Sequence, residues 1–111
     1  MNWVDLIEEQ QLAQIIRQSS EKPVVIFKHS TQCGRSSRVK NKLENAVPPP
    51  GILFYYLDLL AYRRLSQKIA EDFRITHQSP QVLIIKNGVC IYDEDHDDIN
   101  MDEIVTEVAM P

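Results

Sequence analysis

The chain has 111 residues, 43% hydrophobic and 25% charged, which suits one globular domain and excludes a disordered chain. Its net charge of -4 argues against nucleic acid or an anionic membrane as the main partner. Two cysteines exclude a disulfide framework. The acidic opening MNWVDLIEEQ lacks a basic n-region, and no apolar run nears the ~20 residues of a spanning helix, so the expectation is a soluble cytoplasmic protein whose thiols stay reduced unless used.

In chain order, WVDL (3–6) reads as a short strand. Leu12, Ile15, Ile16 and Ser19 fall on one helical face, which predicts a helix over 8–19 stopped by Pro23. PVVIFK (23–28) is a continuous β-branched and aromatic run, too short for a buried helix and suited to a strand covered on both faces. Val39, Leu43 and Ala46 are spaced i, i+4, i+7 and predict a helix over 34–46, ended by VPPPG (47–51). ILFYYLD (52–58) reads as a second buried strand, with Tyr55 and Tyr56 on opposite sides and at least one in the core. Asp58 is placed as the cap of a helix over 59–73, where Leu65, Ile69 and Phe73 share a face.

Residues 74–81 are then a loop, QVLIIK (81–86) a strand, Asn87-Gly88 the strongest hairpin signal in the chain, and VCIYD (89–93) the partner strand. EDHDD (94–98) reads as a solvated loop. Asn100, with Glu103 three residues on, makes a capping-box-like start for the final helix, MDEIVTEV. Parallel right-handed β-α-β connections followed by an antiparallel hairpin give a three-layer α/β/α fold around a mixed sheet of four to five strands. A single domain over 1–111 is expected. A cysteine at the first strand-to-helix junction, with a proline just before the third long strand, is a thioredoxin-like arrangement.

Chemistry concentrates at that junction. Cys33 stands at or just before a helix N-terminus, where free N–H groups and the dipole favour thiolate over thiol. Arg35 and Arg38 add positive charge within about the first turn. Such surroundings lower a cysteine pKa from about 8.5 into a range of roughly 3.5–7.5, and the thiolate is the species that attacks a disulfide. Ser36, three residues on, can offer a hydroxyl to the sulfur but cannot form a disulfide with it. Gly34 leaves the turn looser than a proline and lets another backbone come closer.

The competing reading is an ordinary buried cysteine at a helix start. The polar approach HSTQ (29–32) points instead to an exposed loop, with Thr31 on the substrate side. Were the Ser79–Pro80 bond cis, Pro80 would sit opposite the junction and the Ser79 backbone would be free to pair with a substrate strand.

FKHSTQCGRSS, DLLAYRRLSQKIAEDFRITHQSPQVLIIKNG and the late HDDI together resemble the monothiol bacilliredoxins of the YtxJ type, over nearly the whole chain. The most specific parts are His29-Ser30-Thr31 and His77-Gln78-Ser79-Pro80-Gln81. The resemblance implies a thioredoxin-like fold, with Pro80 as the family's cis-proline. It also implies a cytoplasmic thiol-disulfide oxidoreductase in which Cys33 removes bacillithiol, a low-molecular-weight thiol, from protein mixed disulfides. The small thiol is then a co-substrate, with no tightly bound cofactor. Gly34 departs from the family's usual proline.

Two other functions fit parts of the sequence. Cys-Gly-Arg-Ser resembles the Cys-Gly-Phe-Ser of monothiol glutaredoxins, which hold an iron–sulfur cluster with glutathione, but Arg35 replaces the phenylalanine. A thioredoxin-fold interaction protein without redox turnover is the third. Cys90 reads as a packed strand cysteine, with a resolving thiol as the alternative. His29, His77 and His96 lack the close spacing of a metal site. His29 is placed as a hydrogen-bonded loop residue, or as one that tunes Cys33. Arg35, Arg38, Lys40 and Lys42 form a solvated helix face that could also attract a carboxylate-bearing thiol.

Overall fold

The computed structural model describes residues 1–30 and 34–110. Five strands form one sheet: β1 (Val4–Asp5), β2 (Val24–His29), β3 (Leu53–Asp58), β4 (Gln81–Lys86) and β5 (Val89–Asp95). Their order is β1-β3-β2-β4-β5. β1 and β2 run parallel to β3, β4 is antiparallel to β2, and β5 is antiparallel to β4. Among the described residues, four helices cover the sheet: α1 (Gln10–Gln18), α2 (Gly34–Glu44), α3 (Arg63–Phe73) and α4 (Met101–Ala109).

Every residue of β2 is buried, because helices lie on both faces of this central strand. On one face, Val24 and Ile26 join Leu12 and Ile15 of α1 and Leu65, Ile69 and Phe73 of α3. On the other, Val25 and Phe27 join Val39 and Leu43 of α2 and Met101 and Ile104 of α4. Tyr55 and Tyr56 divide between the two clusters, and the Tyr55 hydroxyl donates to Gln18 Oε1 at 2.7 Å.

The Asn87-Gly88 turn has positive φ at both residues, 54° and 77°, the geometry that matches the twist of a two-residue hairpin. It is clasped by the end of α1. Asn87 N–H donates to Ser19 O and Gly88 N–H to Ser19 Oγ, each at 2.8 Å. Ile16 lies against this turn and is 43% exposed, so it leaves the buried face expected of it.

Two local expectations change. α3 begins at Arg63, not at 59. Asp58 Oδ1 accepts from Leu60 and Ala61 N–H, so its side chain stabilises a turn before the helix instead of capping the helix itself. Residues 94–98 are not a solvated loop: Glu94 and Asp95 extend β5, and His96–Asp98 form a 3₁₀ turn. Asn100 does cap α4, its side chain accepting from Glu103 N–H at 2.8 Å. Asn100→Ala is expected to lower unfolding stability by about 1 kcal/mol, read by urea denaturation.

Candidate functional site

The parallel strands β2 and β3 end together, with His29 in register with Asp58. β2 therefore delivers the chain to the start of α2, and the loop after α3 returns to β4 beside it, Lys28 standing opposite Gln81. Thr31 and Cys33 lie outside the described residues; Cys33 is the residue immediately before α2. The first turn of α2 carries no acidic side chain, and its N–H groups keep the positive end of the helix dipole at that point.

Ser36 is fully buried. Its Oγ accepts from Ser30 N–H at 3.0 Å and lies 2.7 Å from His29 Nδ1. The hydroxyl thus ties α2 back to the end of β2. His29 is the last residue of β2, not a loop residue, and is 4% exposed. Its pKa is lowered by burial and then by the Lys40 charge, while Asp58, a Ser36 backbone hydrogen bond and Glu44 act the other way. The ring stands 5.8 Å from Phe27 and 5.6 Å from Tyr56, centroid to centroid.

Gly34 is exposed, and a Cβ built on it meets nothing within 4 Å. Close approach within the described residues is therefore no reason for glycine there. Arg35 Nε and Arg38 Nη2 each stand 3.8 Å from the Asp97 carboxylate, and Lys42 Nζ donates to Asp97 O at 2.9 Å. The basic face of α2 is thus partly balanced by one residue of the 3₁₀ turn. These pairs are half-exposed and contribute little each. Lys40 pairs with Glu44 at 3.3 Å and lies 5.4 Å from the Tyr56 ring centroid.

The Ser79–Pro80 bond is cis. Pro80 O accepts from His96 N–H at 3.0 Å. Among the described residues, neither the Ser79 amide nor its carbonyl has a hydrogen-bond partner, and the Ser79 Oγ is buried without one. A staple holds this loop: the buried Gln81 donates from Nε2 to Thr76 O at 2.8 Å.

A buried polar group absent from the sequence reading lies on the opposite face of β2. Lys28 is fully buried, and its Nζ donates to Ser66 O at 3.1 Å and to His77 Nδ1 at 3.2 Å. Burial lowers its pKa from 10.5 to about 8. Burial, then the Lys28 charge, lowers that of His77, and Nδ1 accepts because a lysine ammonium can only donate. The only signal in the sequence is a lysine inside an apolar strand, since its partners are 38 and 49 positions away.

Cys90 is half-buried against the α1–α3 cluster, and its thiol donates to Tyr92 O at 3.3 Å. It pairs with Ile85, which pairs with Val24 at the start of β2. His29 is five residues further along that strand, about 16 Å at ~3.3 Å per residue. Burial pushes the Cys90 pKa up. A packed strand cysteine is the description that fits. Among the described residues, no cluster of three or more His, Cys, Asp or Glu could hold a metal, and no helix is long and apolar enough to cross a membrane.

Comparison with known proteins gives the same architecture. A solved protein of thioredoxin fold, assigned as an oxidoreductase, is 29% identical with a TM-score of 0.81, over 94% of this chain and 91% of that one. The thioredoxin of Malassezia sympodialis is 19% identical with a TM-score of 0.74, over 96% and 88%. Spinach chloroplast thioredoxin f is 14% identical with a TM-score of 0.70, over 95% and 88%. The last two show the fold alone. The family model for monothiol bacilliredoxin BrxC matches residues 4–104. With the thioredoxin fold in place and one cysteine standing before α2, the chain belongs to the monothiol bacilliredoxin BrxC family, a group of thiol redox proteins.

Proposed function

We propose that this protein removes a low-molecular-weight thiol, bacillithiol in the first instance, from protein mixed disulfides in the cytoplasm. The family match over residues 4–104 carries this reading. The Cys33 thiolate attacks the small-thiol sulfur of the mixed disulfide. A Cys33–small-thiol disulfide forms, and the client leaves as a thiolate that takes a proton from solvent. A second small-thiol thiolate then attacks the adduct, giving the symmetric small-thiol disulfide and free Cys33. Ser36 cannot act as a second sulfur and Cys90 is remote from the end of β2, so resolution falls to the external thiol.

Three features support this chemistry. The α2 N-terminus, Arg35 and Gly34 make an open, positive setting next to Cys33 in sequence. Among the described residues the Ser79 amide and carbonyl have no partner, which supports their offering an extended client segment two backbone hydrogen bonds. The cis Ser79–Pro80 bond is the third feature, and Thr31 is assigned to the substrate side by its place in the sequence. No tightly bound cofactor is needed.

The test is a mass measurement. A model protein carrying a bacillithiol mixed disulfide, incubated with the reduced protein, should emerge reduced while Cys33 gains the mass of bacillithiol. A released client without an adduct on Cys33 would overturn the reading, and a parallel glutathione substrate identifies which small thiol is preferred.

A further inference from the structure

Lys28 and Gln81 are paired residues of β2 and β4, and both are fully buried. Each holds part of the loop after α3. Gln81 donates to Thr76 O at 2.8 Å and accepts from Gln78 N–H at 3.4 Å. Lys28 Nζ donates to His77 Nδ1 at 3.2 Å. The loop is thus gripped at three consecutive residues, and only the grip at His77 falls on a group that takes up a proton near neutrality. An ammonium can only donate, so the lysine bond requires an Nδ1 without a proton. We propose that His77 is a proton-operated positioning residue: with Nδ1 free it is held by Lys28 and fixes the loop leading to Ser79 and Pro80, and when Nδ1 takes a proton from solvent the loop is released.

The consequence for exchange rests on the proposed function, in which Ser79 and Pro80 meet the client: that edge is set at neutral pH and loosened in acid. Protonation leaves two cations 3.2 Å apart, one of them on a fully buried side chain. Ser66 Oγ stands 3.4 Å from the same nitrogen and can accept the new proton only while that repulsion persists. His77 is exposed, so its ring can leave for water. Lys28 keeps its bond to Ser66 O at 3.1 Å and stays behind. The groups facing the pair are Ser66 from α3, Leu57 from β3 and Gln81 from β4. None of these titrates, and among the described residues no carboxylate pairs with Lys28 or His77. Burial and then the Lys28 charge lower the His77 pKa from 6.5, so the loop is held at pH 7 and released at a pH below that value.

The test follows the His77 ring and the solvent exchange of the Gln78 amide by NMR on the reduced full chain, from about pH 7.5 down to 5. It involves no turnover, so a failed release assay leaves the result readable. After correction for the intrinsic pH dependence of amide exchange, Gln78 should exchange about tenfold faster at the acid end. Its midpoint should match that of the ring and lie below 6.5, while the buried Ile26 amide keeps its protection. His77→Asn, whose Oδ1 accepts from Lys28 without titrating, should keep Gln78 protected throughout. Lys28→Met should leave Gln78 in fast exchange at every pH and bring the His77 midpoint back up toward 6.5. Gln78 exchange that stays flat while His77 titrates would overturn the proposal, as would an acid opening that persists in His77→Asn. Slow Gln78 exchange in Lys28→Met, or loss of Ile26 protection in step with Gln78, would overturn it too.

Discussion

Cys33→Ala is expected to reduce release of the small thiol from a mixed disulfide to the uncatalysed background, while Cys90→Ala keeps the wild-type rate. The contrast follows from where the two sulfurs stand in the chain. Exchange needs a thiolate at a place a second protein can reach. Cys33 precedes a helix whose first turn holds no acid and includes Arg35. The Cys90 thiol is half-buried, donates to Tyr92 O and has its pKa raised by burial. It also pairs near the start of β2 through Ile85 and Val24, a strand's length from His29. Release of labelled small thiol, followed in time for the three proteins, checks this. A Cys33→Ala protein that keeps the wild-type rate would end the monothiol mechanism, and a Cys90→Ala protein stalled after one turnover would make Cys90 the resolving thiol.

Lys28→Met is expected to remove a pH-dependent penalty from the stability of the fold. The folded-state pKa of Lys28, about 8, lies below its ordinary 10.5. Between these values the unfolded chain binds more protons than the folded one, so stability rises with pH. Below about 8 the penalty is present in full, and it fades toward 10.5. The span corresponds to roughly 3 kcal/mol as an upper limit. Methionine keeps the unbranched stem and removes the charge. It gives up the bonds to Ser66 O and His77 Nδ1, but the exposed His77 can turn to water. Urea unfolding at pH 7 should therefore find the variant more stable by about 1–2 kcal/mol after the lost hydrogen bonds, with the gap closing by pH 10. Parallel pH profiles for the two proteins would refute the assignment. The same variant should exchange more slowly, since Lys28 anchors the loop that leads to Ser79 and Pro80. A lysine that costs stability while holding the loop before the cis proline fits the proposed exchange function.

The sequence was legible where a structure depends on neighbours along the chain. The run over 23–28 had to be covered on both faces, and β2 is. Asn87-Gly88 announced a hairpin, and both residues adopt positive φ. The thioredoxin-like order of elements needed only connection rules and the proline before β4. What escaped depends on distant partners. Lys28 meets Ser66 and His77 across 38 and 49 positions, and Asp97 reaches Arg35, Arg38 and Lys42 from the far end of β5. Ser36 was read by its spacing from Cys33. Among the described residues its hydroxyl also meets His29 and Ser30, partners that i+3 spacing alone does not specify.

His96 and Asp97 are consecutive, yet they hold different parts of the molecule: His96 N–H grips Pro80 O, and Asp97 grips the cations of α2. One peptide step, about 3.8 Å between Cα atoms, therefore links the proline turn to the helix, by a backbone hydrogen bond on one side and by half-exposed ion pairs and a Lys42 bond to the Asp97 carbonyl on the other. The separation of the two sides is written into a dipeptide remote in sequence from either. An insertion between residues 96 and 97 would re-space the proline turn and the first turns of α2 at once.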